Sequence, residues 1–193
     1  MTAHEPFDDR DGPRDECGGF GIYAPGHDVA RLTYFALYAL QHRGQESAGI
    51  AAADRDGYVI TQRALGLVSQ VFKEHDLRAL GGELAIGHVR YSTTGSNEWE
   101  NSQPVHRSAG SGGNRRELAL AHNGNLINAV ELHAELREQG VGFSSTSDSE
   151  IIAALLATHP GPAMEDAISD VLPRLQGAFS TVVMTKDRVF AFR

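Results

Sequence analysis

The chain contains one cysteine, Cys17, which follows a mostly polar stretch of 16 residues. A cysteine thiolate is a strong nucleophile, so a thiol at the start of the folded part of a chain could attack a carbonyl carbon. A single cysteine is also often a buried residue that acts as a small apolar side chain. The other residues of the chain have to distinguish a nucleophile from a core residue.

Four polar segments could supply the remaining groups of a catalytic site, and they lie in loops or at the ends of predicted strands. They are "QHRGQESAG" (41–49), "GHVRYSTTG" (87–95), "AHNGN" (121–125) and "STSDSE" (145–150). Each has a structural explanation when it is taken alone: Arg90 as a surface charge, Asn123-Gly124 as a turn and Asp148 as a helix N-cap. Their occurrence together with Cys17-Gly18 favours a catalytic site.

Other catalytic signatures are absent or fail in their context. Residues 19–24 match a loose dinucleotide-binding fingerprint, but that motif has to follow a strand, and "DGPRDE" is not one. The chain has no G-x-x-x-x-G-K-[ST] loop for phosphate and no G-x-S-x-G elbow. Its nine histidines lack zinc-protease spacing, so His42, His88 and His122 are expected to be structural or to support the site rather than bind a metal.

Length and composition restrict the class of protein. The 193 residues fit one domain with a sizeable core, and 41% of them are hydrophobic. The formal net charge of −8 argues against nucleic acid as a partner, because binding phosphates requires a basic surface. The apolar stretches, such as 151–157, are too short to span a bilayer, so no membrane partner is expected. A single cysteine fits a cytoplasmic location.

The first 16 residues contain six acidic and two basic residues and no apolar core. They are therefore not a secretory signal, and we predict a solvated arm with structure beginning at Cys17. The last predicted strand runs to Arg193 without a cap or a polar tail. We therefore expect the chain to be a piece of a longer protein.

The hydrophobic pattern predicts grouped strands and helices. Strands are predicted at 17–23, 47–53, 58–64, 83–92, 117–125, 178–185 and 189–193, and helices at 28–43, 126–140, 148–158 and 163–175. The second and third strands, and the last two, are predicted hairpins. Residues 94–116 are expected to form a long loop. This grouping favours an α+β fold with mainly antiparallel sheets.

The first helix gives a more detailed expectation. Asp28 is expected to cap it, and Gly44 to end it. Its core-facing residues are expected to be Val29, Leu32, Ala36 and Leu40.

From Cys17 to Arg193 the chain resembles the glutaminase domain of the amidophosphoribosyltransferase family. The segments "LQHRGQESAG", "RYSTTG" and "HNGNLINA", with the Cys-Gly start, carry the resemblance. That domain belongs to the N-terminal-nucleophile hydrolases, so the resemblance implies a four-layer αββα sandwich of two mainly antiparallel sheets, here truncated at its C-terminal end. Gly19 stands where a larger residue is common in this family, and we expect no effect on the chemistry.

The resemblance also implies how Cys17 becomes reactive. Residues 1–16 would be a propeptide whose removal frees the α-amino group of Cys17, and 17–193 would be an incomplete type 2 glutamine amidotransferase domain. An α-amino group titrates near ~7.7–8.0, so it can accept the proton of a thiol whose pKa lies near ~8.5. One residue then supplies both nucleophile and base.

By the same resemblance, the thiolate attacks the side-chain amide of glutamine, and the Asn123 side chain and the Gly124 N–H stabilise the oxyanion. Arg90 is expected to bind the α-carboxylate of glutamine and Asp148 its α-ammonium group. Supporting roles in the pocket are expected for Tyr91, Thr93, Arg43 and Gly44.

A complete enzyme of this family passes the ammonia to a phosphoribosyltransferase domain, where it reacts with phosphoribosyl pyrophosphate to give phosphoribosylamine, the first step of purine synthesis. We expect that domain and its Mg²⁺ to lie beyond this chain. An iron–sulfur cluster, which some members carry, would need ligands beyond Arg193. No cofactor is expected in this segment, and a homo-oligomer is expected.

Two alternatives stay open. The first is a related glutaminase domain, of the glucosamine-6-phosphate synthase or asparagine synthetase type, which shares the Cys-Gly start and an HNG-like motif. The second is a non-catalytic binding module on the same fold. The presence of all five central residues argues against a decayed site; they are Cys17, Arg90, Asn123, Gly124 and Asp148.

Overall fold

The computed structural model describes residues 17–54, 56–91, 99–111 and 115–193. The strands are β1 (Gly18–Tyr23), β2 (Ser47–Ala53), β3 (Val59–Leu65), β4 (Leu84–Arg90), β5 (Val105–Ala109), β6 (Arg116–Leu126), β7 (Gly177–Met184) and β8 (Val189–Phe192). The helices are α1 (Val29–Leu40), α2 (Val68–Val71), α3 (Glu74–Ala79), α4 (Ala129–Glu138), α5 (Asp148–Thr158) and α6 (Met164–Val171), with 3-10 turns at Gln41–Arg43, Trp99–Asn101 and Leu172–Arg174.

Two antiparallel sheets of four strands form the centre of the molecule, in the orders β1-β4-β2-β3 and β5-β6-β7-β8. Helices α1 to α3 pack on the outer face of the first sheet, around Leu37 and Ile50. Helices α4 to α6 cover the outer face of the second sheet, around Leu120 and Leu156. The sheets face each other across a third cluster of mostly small side chains, which includes Ala51, Ala53, Ile86, Ala119, Ala121 and Met184. The expected αββα sandwich is therefore confirmed.

Both predicted hairpins are present. β2 pairs with β3, with Ala53 opposite Val59, and β7 pairs with β8, with Met184 opposite Val189. β4 lies between β1 and β2. The start of β1 and the end of β4 therefore come together at one end of the first sheet.

Helix α1 confirms the predicted helix, but its buried face and its end differ from the prediction. The Asp28 carboxylate accepts a hydrogen bond from the Arg31 N–H at 3.0 Å, as expected of a cap. Of the predicted core-facing residues, Val29 is buried and Leu40 packs against the core, but Leu32 is 40% exposed and the buried positions between them are Thr33 and Leu37. The α-helix ends at Leu40 and a 3-10 turn follows.

Gly44 does not end the helix in the predicted way, because its backbone is extended, with φ −160°. A Cβ at this position would lie 2.7 Å from the carbonyl carbon of Val89. Gly44 is therefore required by close packing against β4 rather than by a left-handed helix end.

The predicted loop at 94–116 contains a strand. β5 pairs with β6, with Val105 opposite Leu120, and among its residues only Val105 is fully buried. A strand at the edge of a sheet can be largely polar, and this composition concealed it. β6 also runs on to Leu126, so α4 begins at Ala129 rather than at 126. α6 gives way to a 3-10 turn at Pro173, because proline lacks the N–H that an α-helix needs.

Candidate active site

Cys17 lies directly before β1, next to the end of β4. The pairing of Gly18 with Val89 brings Cys17 beside the backbone of Tyr91. The Cys17 thiol donates to the Tyr91 carbonyl at 3.5 Å, and its Sγ accepts from the Tyr91 N–H at 3.4 Å. Burial raises the pKa of the Cys17 thiol, and the Tyr91 N–H and the Arg90 charge offset only part of this. The thiol is therefore protonated at neutral pH and needs a base to react.

Asn123 reaches Cys17 from the other sheet. It lies on β6, and its Nδ2 donates to the Cys17 carbonyl oxygen at 2.6 Å. The next residue, Gly124, has φ +142°, and a Cβ there would overlap the carbonyl oxygen of Ala178 on β7. A glycine is therefore required at this point, where β6 passes Cys17. The oxyanion roles of both residues stay predictions.

Arg90 is the last residue of β4 and lies close enough to lower the pKa of the Cys17 thiol. Its Nη1 is buried and has no hydrogen-bond partner among the described residues. A buried guanidinium N–H without an acceptor is costly, and a carboxylate is the group that it binds best. The role of Arg90 in binding the α-carboxylate of glutamine stays a prediction.

Glu46 is a charged neighbour that the sequence analysis did not single out. Its N–H donates to the Arg90 carbonyl at 3.1 Å, and its charge raises the pKa of the Cys17 thiol. Its Oε2 is buried and, within the described part of the chain, unpartnered. Glu46 belongs to the quoted segment 41–49, but its residue type alone gave no signal of this position.

Asp148 is the first residue of α5 and not its N-cap, because the preceding Ser147 occupies the cap position. Its carboxylate accepts from the Leu126 N–H at 3.0 Å and lies 3.5 Å from Nδ1 of His122. Burial raises the pKa of Asp148, but His122 and the nearby backbone N–H groups more than offset it, so the pKa lies below the ordinary value. Asp148 is therefore charged at neutral pH and connected to the residue that precedes Asn123.

A cavity of about 590 Å³ opens at Cys17 and is lined by residues of both sheets. Among the predicted site residues it brings together Cys17, Arg43 and Asn123. The cavity is not lined by the other predicted site residues that the structure describes, which are Arg90, Gly124, Asp148, Tyr91 and Gly44. Thr93 and the predicted propeptide, residues 1–16, lie outside the described residues.

His88 also lines this cavity and is fully buried. Burial and the neighbouring His122 lower the pKa of His88 to about 3, so its imidazole is neutral at physiological pH.

In the described parts of the chain, no group of three or more His, Cys, Asp or Glu side chains is placed to hold a metal ion. No helix of those parts has the length and apolar character needed to cross a membrane.

This αββα sandwich, with Cys17 directly before its first strand, has the architecture of the N-terminal-nucleophile hydrolases. Residues 88–193 match the family model described as a glutamine amidotransferase domain, which is more than half of the chain. The chain therefore belongs to the glutamine amidotransferase family.

Individual relatives agree with this assignment. An amidophosphoribosyltransferase of Mycobacterium bovis is 49% identical over 199 residues, covering 100% of this chain and 37% of the relative. One of Synechococcus elongatus is 48% identical over 95% of this chain and 36% of the relative. The solved structure of the Bacillus subtilis glutamine phosphoribosylpyrophosphate amidotransferase with ADP and GMP superposes with a TM-score of 0.79 and 39% identity, covering 90% of this chain and 36% of that one. The chain thus spans little more than a third of the length of these relatives.

Proposed function

We propose that this chain is the glutaminase part of an amidophosphoribosyltransferase and hydrolyses glutamine to glutamate and ammonia. The observation that carries the proposal is the 2.6 Å hydrogen bond from the Asn123 side-chain amide on one sheet to the Cys17 backbone carbonyl on the other, which brings an amide donor to the residue that bears the thiol. The relatives of that name, which align with the whole chain, support the acceptor chemistry. In the complete protein, the ammonia would react with phosphoribosyl pyrophosphate to give phosphoribosylamine.

The reaction begins with attack of the Cys17 thiolate on the side-chain carbonyl carbon of glutamine. A C–S bond forms and the carbonyl oxygen becomes an oxyanion, to which the Asn123 amide and the Gly124 N–H would donate. The C–N bond then breaks, the nitrogen takes up a proton and ammonia leaves, giving a glutamyl thioester. Water hydrolyses the thioester, which releases glutamate and restores the thiol.

The raised pKa of Cys17 makes a base necessary. Its own α-amino group would serve once residues 1–16 are removed, because a partly neutral amine at pH 7 can accept the thiol proton. Arg90, whose Nη1 has no partner among the residues that the structure describes, would bind the α-carboxylate of glutamine, and the charged Asp148 would accept from the α-ammonium group. Tyr91, Thr93, Arg43 and Gly44 would shape the pocket. Mg²⁺ and any iron–sulfur cluster would belong to the part of the longer protein outside this chain.

The test is the intact mass of the complete natural protein before and after treatment with an alkylating analogue of glutamine. The expected result is a mass that lacks residues 1–16 and gains one adduct, which peptide mapping places on Cys17. A Cys17→Ser variant should gain no adduct. An uncleaved protein with no adduct, or an adduct on another residue, would contradict the proposal.

The acceptor half is tested separately by measuring pyrophosphate release. The complete protein should release pyrophosphate from phosphoribosyl pyrophosphate only when glutamine or ammonia is present. If the protein hydrolysed glutamine but released no pyrophosphate, the proposed glutaminase activity would stand and the proposed transferase activity would be wrong.

A further inference from the structure

Gln103 pairs with the backbone of β6 through its side chain. Its Nε2 donates to the His122 carbonyl at 3.1 Å, and its Oε1 accepts from the His122 N–H at 2.6 Å. The side chain is only 6% exposed. The backbone pairing of β5 with β6 ends where Val105 lies opposite Leu120. The Gln103 amide therefore continues the strand pairing up to the residue before Asn123.

The backbone of Gln103 contacts the other sheet. A Cβ on Gly49 of β2 would overlap the Gln103 carbonyl oxygen and lie 2.9 Å from its carbonyl carbon, so the two backbones touch. The preceding residues are held to β3, because Arg63 donates to the Ser102 carbonyl and Trp99 Nε1 donates to the Arg63 carbonyl at 3.2 Å. Residues 99–103 thus form a wedge between the two sheets, with Gln103 in contact with both.

This wedge bears on the site because the reacting groups lie on different sheets. Cys17 belongs to the first sheet through β1, and Asn123 belongs to the second through β6. Their 2.6 Å contact requires that the two sheets keep a fixed offset at this level. Gln103 binds both backbone groups of the residue next to Asn123 while resting on Gly49.

We infer that Gln103 is a positioning residue of the glutaminase reaction, which holds β6 so that the Asn123 amide faces Cys17. The inference rests on the proposed function. It predicts that loss of the two hydrogen bonds lowers kcat, because the oxyanion donor is displaced, and leaves glutamine affinity nearly unchanged. A misplacement of about 1 Å in an active site can cost ~10²-fold in rate.

The first experiment compares the complete natural protein with its Gln103→Met variant, since methionine keeps the length of the side chain and removes both hydrogen bonds. The kcat for glutamine hydrolysis should fall by about 10- to 100-fold, with KM changed by less than about threefold. Hydrogen exchange at the His122 amide should become faster. Gln139→Met is the control, because the Gln139 side chain is exposed and bonds only to Glu135 among the described residues.

A second variant, Gln103→Glu, separates positioning from packing through its pH dependence. A protonated glutamic acid can reproduce both hydrogen bonds, whereas the carboxylate cannot donate to the His122 carbonyl. Burial raises the pKa of a carboxyl group, so the protonated form should be populated at mildly acidic pH. The ratio of variant to parent kcat should therefore rise as the pH is lowered from 8 to 6.

Three results would overturn the inference. The first is a kcat of Gln103→Met within twofold of the parent value. The second is a change in Gln103→Met that is confined to KM. The third is a ratio of Gln103→Glu kcat to parent kcat that does not change with pH. A parent protein that does not hydrolyse glutamine would instead contradict the proposed function, and the inference with it.

Discussion

At the scale of single residues, the candidate site depends on Cys17 and Asn123, which lie in contact although they belong to different sheets. The Asn123 amide already donates to the backbone carbonyl of Cys17, so its donor group is oriented toward the proposed nucleophile before a substrate arrives. Such preorganised donors act where negative charge develops and need little rearrangement during the reaction. Asn123 should therefore affect the rate more than the binding of glutamine.

Asn123→Ala tests this directly. We expect kcat for glutamine hydrolysis to fall by ~10²–10³-fold with little change in KM, because the lost donor acts mainly in the transition state. Steady-state kinetics on the complete protein measure both constants. Asn128→Ala is a matched control, since Asn128 also donates its side-chain amide to a backbone carbonyl, that of Arg174 at 2.9 Å, but away from Cys17. A rise in KM alone for Asn123→Ala would exclude the oxyanion role.

At the scale of elements, the sequence predicted the helices and strands in which most residues are buried. It missed the strand that forms only because it pairs with a neighbouring strand. β2 is buried along its whole length, and α5 is buried throughout its apolar run at 151–157, so both elements are unambiguous in the sequence. β5 carries a single fully buried residue, Val105, and becomes a strand through pairing with β6. The site follows the same rule: the single thiol singled out Cys17 and the family resemblance singled out Asn123, and their roles stay predictions, whereas the contacts of Gln103 and Glu46 arise only in the fold.

Gly44 shows how an element boundary depends on packing. A Cβ there would meet the backbone of β4, which cannot move aside, while Gly19 on β1 has open space around its Cβ position. We expect Gly44→Ala to lower the free energy of unfolding by about 1–3 kcal/mol and Gly19→Ala to leave it unchanged or raise it slightly. Urea unfolding of both variants measures the difference. Equal stabilities would show that the chain before β2 adjusts freely.

The turn before α5 is held by a buried carboxylate. Glu150 is 4% exposed and accepts from the N–H groups of Ser144 and Ser145, at 2.9 and 2.6 Å, and from Arg107 at 3.0 Å. Burial raises the pKa of Glu150, but the backbone N–H and hydroxyl donors of Ser144 and Ser145 lower it more, so the folded-state pKa lies below the ordinary value. A carboxyl with a depressed pKa stabilises the fold above its unfolded pKa, and this contribution is lost as the pH falls through the folded value.

Glu150→Gln should therefore lower the free energy of unfolding by about 1–3 kcal/mol at pH 7, because the charge-assisted hydrogen bonds are lost. The difference between parent and variant should shrink as the pH falls below about 4.3, the ordinary glutamate pKa. Urea unfolding at a series of pH values measures it. Glu135→Gln is the control, since Glu135 pairs with Arg174 at the surface and should show a small difference. If the stability difference between parent and Glu150→Gln stayed constant down to pH 3, the Glu150 carboxylate would not be the group that stabilises this turn.

At the scale of the whole molecule, assembly of the site depends on the cluster of side chains between the two sheets, which we call the middle layer. The outer cores hold helices on sheets, whereas the cluster around Ala51, Ile86 and Ala121 sets the distance between the sheets. Interiors are close-packed, so a void in that layer lets the sheets shift relative to each other. A void of the same size in an outer layer should leave the relation between Cys17 and Asn123 intact.

Ile86→Ala and Leu136→Ala form a matched pair for this argument. Ile86 lies in the cluster between the sheets and Leu136 on the buried face of α4, and their exposed fractions are 0% and 1%. Both variants should lose about 2–5 kcal/mol of unfolding free energy, because each removes a buried aliphatic side chain. Only Ile86→Ala should also lower kcat for glutamine hydrolysis, by about tenfold or more, since misplaced catalytic groups reduce the rate steeply. Kinetics at a temperature where both variants remain folded would decide, and an equal loss of kcat in the two would mean that the rate follows overall stability rather than the spacing of the sheets.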